Sequence, residues 1–112
     1  MIIVNKKLLA EFRAKKNCEV CGRKAPATGL DPDHLYAKGL GGGRRLDIKW
    51  NLVASCRRCH NRRHDGSIDM AVLFGIVARR EGVTTQKVVE YLQLLRRLPK
   101  GSTQPTEPTG SS

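Results

Sequence analysis

Four cysteines stand in two Cys-x-x-Cys pairs, Cys18-Glu19-Val20-Cys21 and Cys56-Arg57-Arg58-Cys59, and a second set of chemically capable residues is threaded through and past them. That second set is Asp33-His34, Asn51, His60 and His64, with the spacing H-x16-N-x8-H-x3-H. Four thiolates in tetrahedral geometry close the coordination sphere of a zinc ion and leave no position for water or substrate, so Cys18, Cys21, Cys56 and Cys59 are expected to hold a structural zinc. Two disulfides are the alternative; paired knuckles in a chain without a secretory signal favour the metal. A closed site gives no reason for the histidines, so the function is expected to lie with them.

Each of these residues has a chemical rationale. A histidine has an ordinary pKa of about 6.5 and is available as a neutral general base at physiological pH, which suits His34. His60 and His64, four apart on a helix, would have Cβ atoms about 5–6 Å apart, close enough to share one ion or one phosphate. Arg57 and Arg63 fall within about 60° of His60 on a helical wheel, flanking that face with guanidiniums suited to phosphate oxygens, while Arg58 and Arg62 lie nearly opposite. Arg44 and Arg45, after a glycine run, are further nucleic-acid-binding candidates. Asn51 carries donor and acceptor on one amide, which fits a clamp across the loop. Trp50 beside it reads as core or as a base-stacking ring, with core favoured.

The 112 residues amount to one small domain, a size at which a structural metal often supplements the apolar core. Lys plus Arg number 21 against 10 Asp plus Glu, a formal charge of +11. The excess is uneven: residues 1–65 hold 15 basic and 6 acidic side chains, residues 66–112 hold 6 and 4. Such a field, concentrated with the Cys/His segment, favours a polyanion. The opening Met1-Ile2-Ile3-Val4 run is too short for a signal peptide and Met70 to Ala78 too short to span a bilayer, so the expectation is an intracellular, cytoplasmic protein with no membrane partner.

These residues need elements to hold them. Asn5 caps a first helix carrying Leu8, Leu9 and Phe12, which Lys15-Lys16-Asn17 ends. A short strand is expected around Leu30 to Leu35, then a loop containing Leu40-Gly41-Gly42-Gly43, a second strand over Trp50 to Ser55, and two helical turns over Arg57 to His64. Placing both Asp33 and His34 in one site requires a distorted strand end, because neighbouring strand residues point to opposite faces. Asp69 caps a helix running through Arg80 with Gly82 past its end; Thr84 or Thr85 caps another through Leu98, stopped by Pro99, with Val88, Val89, Leu92, Leu95 and Leu98 as its apolar stripe. This pair reads as a buttress or as a helix-turn-helix DNA reader; its low net charge favours the buttress. Residues 100–112, rich in Ser, Thr, Pro and Gly, read as a disordered tail.

From Asn17 to Asp65 the sequence resembles the HNH, or ββα-metal, endonucleases of the zinc-bearing four-cysteine kind. Asp33-His34 is similar to the D-H pair ending the first strand, Asn51-Leu52 to the central N-L, and Cys56-Arg57-Arg58-Cys59-His60-Asn61 to the C-x-x-C-H-N opening the helix. The resemblance implies a small ββα-metal core over 17–65 with a four-cysteine zinc site; with the N-terminal helix over 5–16 and the two C-terminal helices over 69–98 read from caps and periodicity, the expectation is an α+β fold in one domain over 1–99. It implies that His34 deprotonates the attacking water, that Asp33 and His60 hold a catalytic divalent ion, with His64 a third ligand in some members, and that Asn51 orients the histidine. Magnesium, manganese or another divalent ion would be the catalytic cofactor, DNA the substrate, and 5′-phosphate and 3′-hydroxyl ends the products. Short free-standing proteins of this kind resemble those encoded by phages beside packaging or recombination machinery, whose proteins would then be partners. Two other readings stay open: a zinc-ribbon nucleic-acid-binding module, which would need the cysteines and the charge but not Asp33, His34, Asn51 or His60, and an HNH subunit active only with a partner.

Overall fold

The computed structural model describes residues 1–108. It is a small α+β fold in the order α1 (Lys6–Arg13), β1 (Asp31–His34), β2 (Leu52–Ser55), α2 (Arg57–His64), α3 (Met70–Glu81) and α4 (Thr85–Arg97), with short 3-10 turns at Leu40–Gly42 and Lys49–Asn51. β1 and β2 form a two-stranded antiparallel sheet in the register Asp31↔Ser55 to His34↔Leu52.

Local chemistry sets the boundaries. Asn5 caps α1 by accepting from the Leu8 N–H at 3.0 Å, and its own N–H is held by Asp47 at 2.9 Å. The helix ends at Arg13, earlier than the basic run suggested, because the Arg13 carbonyl accepts from the Leu30 N–H at 3.0 Å and is committed to the strand's approach. Trp50 belongs to a turn rather than to β2, and it is buried with its ring edge-on to Tyr91, centroids 5.1 Å apart, which gives it a packing role. α3 stops where Gly82 takes a left-handed conformation, φ 71°, that a side chain would disfavour.

A two-stranded hairpin cannot stand alone in water. Here β2 is buried along its whole length, with α1, α2 and α3 against the sheet, while α3 and α4 pack on each other and on the Lys49–Asn51 turn. Leu46, Leu52, Val77, Val88, Leu92 and Leu95 form the fully buried centre. The helical pair is a buttress. Arg80 fixes it: its guanidinium donates to both carboxylate oxygens of Glu19 at 2.9 Å, to the Leu52 carbonyl at 3.1 Å and to that of Lys49, tying α3 to the first knuckle and the hairpin. Past α4, Gln104 donates to the Tyr91 hydroxyl at 3.1 Å, and that hydroxyl donates to the Pro105 carbonyl at 2.6 Å. The expected tail runs to Ser112; its residues 109–112 lie outside the described ones.

Candidate active site

The four cysteine sulfurs all lie within 4.8 Å of one another, and none is in a disulfide. Zinc–sulfur bonds of about 2.3 Å would place tetrahedral sulfurs about 3.8 Å apart, close to the 3.9 Å between Cys21 Sγ and Cys56 Sγ. Burial pushes Cys18 up, but backbone N–H groups of Cys21, Cys56 and Val20 outweigh it and bring the thiol down to about 7, whereas burial and the three neighbouring sulfurs push Cys59 well above its ordinary value. A dication would relieve that crowding, and the donor set fits one.

The second cysteine pair opens α2 and so fixes where the helix begins. Cys56 is its N-cap, Cys59 is buried in its first turn, and His60 and His64 follow on the face turned to β1. Their rings lie 4.4 Å apart. Asp33, His60 and His64 each offer a ligand atom, all within 4.8 Å of one another. His60 Nδ1 is buried with no hydrogen-bond partner and faces Asp33 Oδ2 at 3.7 Å. That separation is too long for a hydrogen bond, yet one ion with bonds of about 2.0–2.2 Å could touch both atoms. An orphaned nitrogen facing a carboxylate is what a metal site presents when described through its protein atoms alone.

Asp33 and His34, though adjacent on a strand, line the same cleft, an open cavity of about 510 Å³ that also includes Lys38, Leu40, His60, Arg63 and His64. β1 ends at His34, and its last carbonyls are taken over by a side chain: Arg63 donates to the carbonyls of His34 and Leu35, both at 2.9 Å. The same guanidinium sits 3.3 Å from Asp33 Oδ1, leaving Oδ2 for His60. Asn51 holds the other side of the turn. It is fully buried, accepts from the Tyr36 N–H at 2.8 Å, and donates to the carbonyls of Tyr36 and Leu46 at 3.1 Å, pinning both ends of the loop.

Behind His34 stands Asp47, which the sequence reading did not single out. Its Oδ1 lies 2.8 Å from His34 Nε2, while Oδ2 accepts from the Asn5 N–H at 2.9 Å and from Arg45 Nε at 2.8 Å, with Arg45 Nη2 ion-paired to it at 2.7 Å. Asp47 has no solvent exposure. Burial pushes its pKa up, but the bonds from Arg45, Asn5 and His34 prevail and hold it at about 2. Burial also holds His34 below the ordinary histidine value, outweighing the upward pull of Asp47, with Lys38 and Arg45 adding to the lowering. With Asp47 ionised, the contact is a hydrogen bond that His34 Nε2 donates to a carboxylate. Nε2 carries the proton, and Nδ1, without a partner among the described residues, is the basic nitrogen open to the cleft.

The four candidate arginines part company. Arg57 is exposed and only loosely paired with Asp31 at 3.2 Å. Arg45 is spent on Asp47 and Arg63 on the strand end, while Arg44 lies on the far side of the glycine loop from His34. Arg45 and Asp47, two residues apart in Arg45-Leu46-Asp47-Ile48, offered one signal in advance: a carboxylate alone between two apolar residues.

The hairpin and the helix that follows it bring together a cysteine quartet, a carboxylate–histidine cluster and a carboxylate-backed histidine. Residues 18–66 match a family model described as HNH endonuclease. No curated protein and no solved structure matches the chain. Among the described residues, no helix is long and apolar enough to cross a membrane.

Proposed function

We propose that this protein is a metal-dependent HNH endonuclease that hydrolyses DNA phosphodiester bonds. The observation that carries the reading is the convergence, in one open cleft, of the Asp33–His60–His64 cluster with His34, whose Nε2 is bonded to a buried carboxylate and whose Nδ1 is free. Asp33 and His60, with His64 as third ligand, would hold one magnesium, manganese or other divalent ion, which when bound supplies positive charge to the phosphoryl oxygens and the departing 3′ oxygen. His34 Nδ1 takes the proton of the attacking water, and Asp47 steadies the imidazolium that results. Asn51 and Arg63 are positioning residues: they hold the strand end so that Asp33 and His34 share a face. Arg57 and Arg44 have guanidiniums available for phosphates. A zinc ion at Cys18, Cys21, Cys56 and Cys59 is separate and structural, and it anchors the helix that carries His60.

The test incubates purified chain with supercoiled plasmid and magnesium or manganese, beside EDTA and His34→Ala controls. The expected result is conversion to nicked circles bearing 5′-phosphate and 3′-hydroxyl ends, lost in both controls. DNA binding without cleavage under every metal would overturn the reading in favour of a binding module, and cleavage appearing only with a partner protein would make the chain a subunit.

A further inference from the structure

One cluster of charge joins Arg44 to residues that have no part in that mechanism. Arg44, Gln93, Arg96 and Arg97 line an open cavity of about 410 Å³ between the glycine loop and the last turn of α4. No carboxylate lines it, and among the described residues none of the three guanidiniums pairs with one. Glu90, the only acidic residue of α4, accepts from Gln86 at 2.8 Å and lines a different cavity. Favourable interaction of cations with a helix C-terminus accounts for Arg96 and Arg97 being basic. It does not account for Arg44 arriving from another element, or for a side-chain amide one turn back facing the same space. Three uncompensated guanidiniums with an amide donor match the oxygens of a phosphodiester.

The cavity is also held in register with the catalytic cleft. The loop between them closes through the Arg44 N–H on the Lys38 carbonyl at 2.8 Å, so that Lys38 and Leu40 line the His34 side and Arg44 the other. Gly39, φ 74°, permits this: a Cβ there would come within 3.3 Å of the Arg44 side chain. On the opposite wall Arg96 stacks over Tyr36, 4.4 Å from the ring centroid, and Tyr36 is the residue whose backbone Asn51 grips. We infer that Arg44, Arg96 and Arg97, with Gln93, form a second phosphate-binding site that holds the DNA backbone flanking the scissile bond. The inference rests on the nuclease reading for the identity of the polyanion. It makes α4, which lies outside the matched stretch, part of the substrate surface as well as a buttress.

The test measures binding of a fluorescein-labelled duplex by anisotropy in EDTA, where nothing is cut, across salt concentrations. Each phosphate contact on B-DNA contributes about 0.9 to the slope of log affinity against log salt. Replacing all three arginines by Gln should therefore flatten the slope by about 2.7, so that between about 50 and 200 mM salt the wild type loses about 40-fold more affinity than the variant. The pair Arg44→Gln with Arg97→Gln, which leaves Arg96 on Tyr36, should show about two-thirds of the change in slope. The control removes the same charge elsewhere, at the exposed Lys6, Lys7 and Lys16. An equal flattening in the control, or none in the arginine variants, overturns the site. Slope lost in the variants while wild type cuts no DNA would leave the phosphate site standing and the nuclease reading fallen; plasmid cleavage with an unchanged slope would mean the reverse.

Discussion

Asp47→Asn separates orientation of the base from simple packing, and the geometry says which way the amide must turn. Oδ2 of Asp47 accepts hydrogen bonds from Asn5 and from Arg45 Nε and is ion-paired with Arg45 Nη2, whereas Oδ1 serves His34 alone. An asparagine has one acceptor oxygen, so it will sit where these donors converge and present its NH2 group to His34 Nε2. Nε2 must then accept, the proton moves to Nδ1, and the nitrogen facing the cleft can no longer take a proton from water. The loss should approach that of removing the base, about 10² to 10⁴-fold in cleavage rate. The same substitution behind a serine-hydrolase histidine costs about 10⁴.

Stability should fall as well, by an amount the carboxylate's own titration sets. A folded-state pKa of about 2 against an ordinary 3.8 is worth about 2 kcal/mol. The folded value is depressed, so this contribution is complete above pH 4 or so and is lost as pH falls towards about 2. The stability gap between wild type and Asp47→Asn should be constant near neutrality and close in acid; taking the difference cancels the zinc contribution that both proteins share. The assay is single-turnover plasmid nicking beside DNA affinity in EDTA, with denaturant midpoints across pH. In the His34→Ala background Asp47→Asn should cost nothing further in rate, because the two act as a unit. A variant destabilised as calculated yet cutting within about threefold of wild type would refute the reasoning and leave Asp47 a packing residue.

His34→Ala should lower cleavage by at least about 10²-fold while affinity for duplex in EDTA stays within a few-fold of wild type; loss of both together would show that His34 binds rather than catalyses. Native mass spectrometry should find one zinc per chain that survives a mild chelator, and Cys59→Ser should release it and unfold the chain, since structural zinc contributes on the order of 10 kcal/mol to folding; two disulfides and no metal would overturn this. Arg63→Lys keeps the charge but cannot span two carbonyls and Asp33 at once, so cleavage should drop by about 10²-fold, the scale of a small misplacement at a reacting centre, with the salt dependence of binding unchanged. A slope reduced by about 0.9 would instead make Arg63 a direct phosphate contact.

What could be read from the chain depended on how far each residue's meaning travels. The cysteine pairs, the Asp33-His34 pair and the His60/His64 repeat carry their chemistry in local spacing, and the strands and helices around them follow from caps and apolar periodicity a few residues long. Arg63 shows where that stops: a helical wheel gives the direction in which a side chain leaves the helix, not how far it reaches, and this one folds back onto the carbonyls of His34 and Leu35. Arg80 has no local signature and Asp47 only that of a carboxylate set between two apolar residues, because the partners that define their roles are brought to them by the tertiary fold, Glu19 from 61 residues away and His34 from 13.

That adjacent strand residues share a cleft is likewise a tertiary matter. The strand end is held from three sides, by Arg63 on the carbonyls, Asn51 on Tyr36 and Asp47 on the imidazole. One of these restraints, Arg63, traces back to the cysteines. Cys56 and Cys59 fix the start of α2, and the helix's 3.6-residue turn then sets the directions of His60, Arg63 and His64. A zinc ion at the knuckles would therefore act on the proposed site at a distance: its loss would part His60 from Asp33 and Arg63 from the strand end as the core comes apart, with no residue of that cluster itself altered.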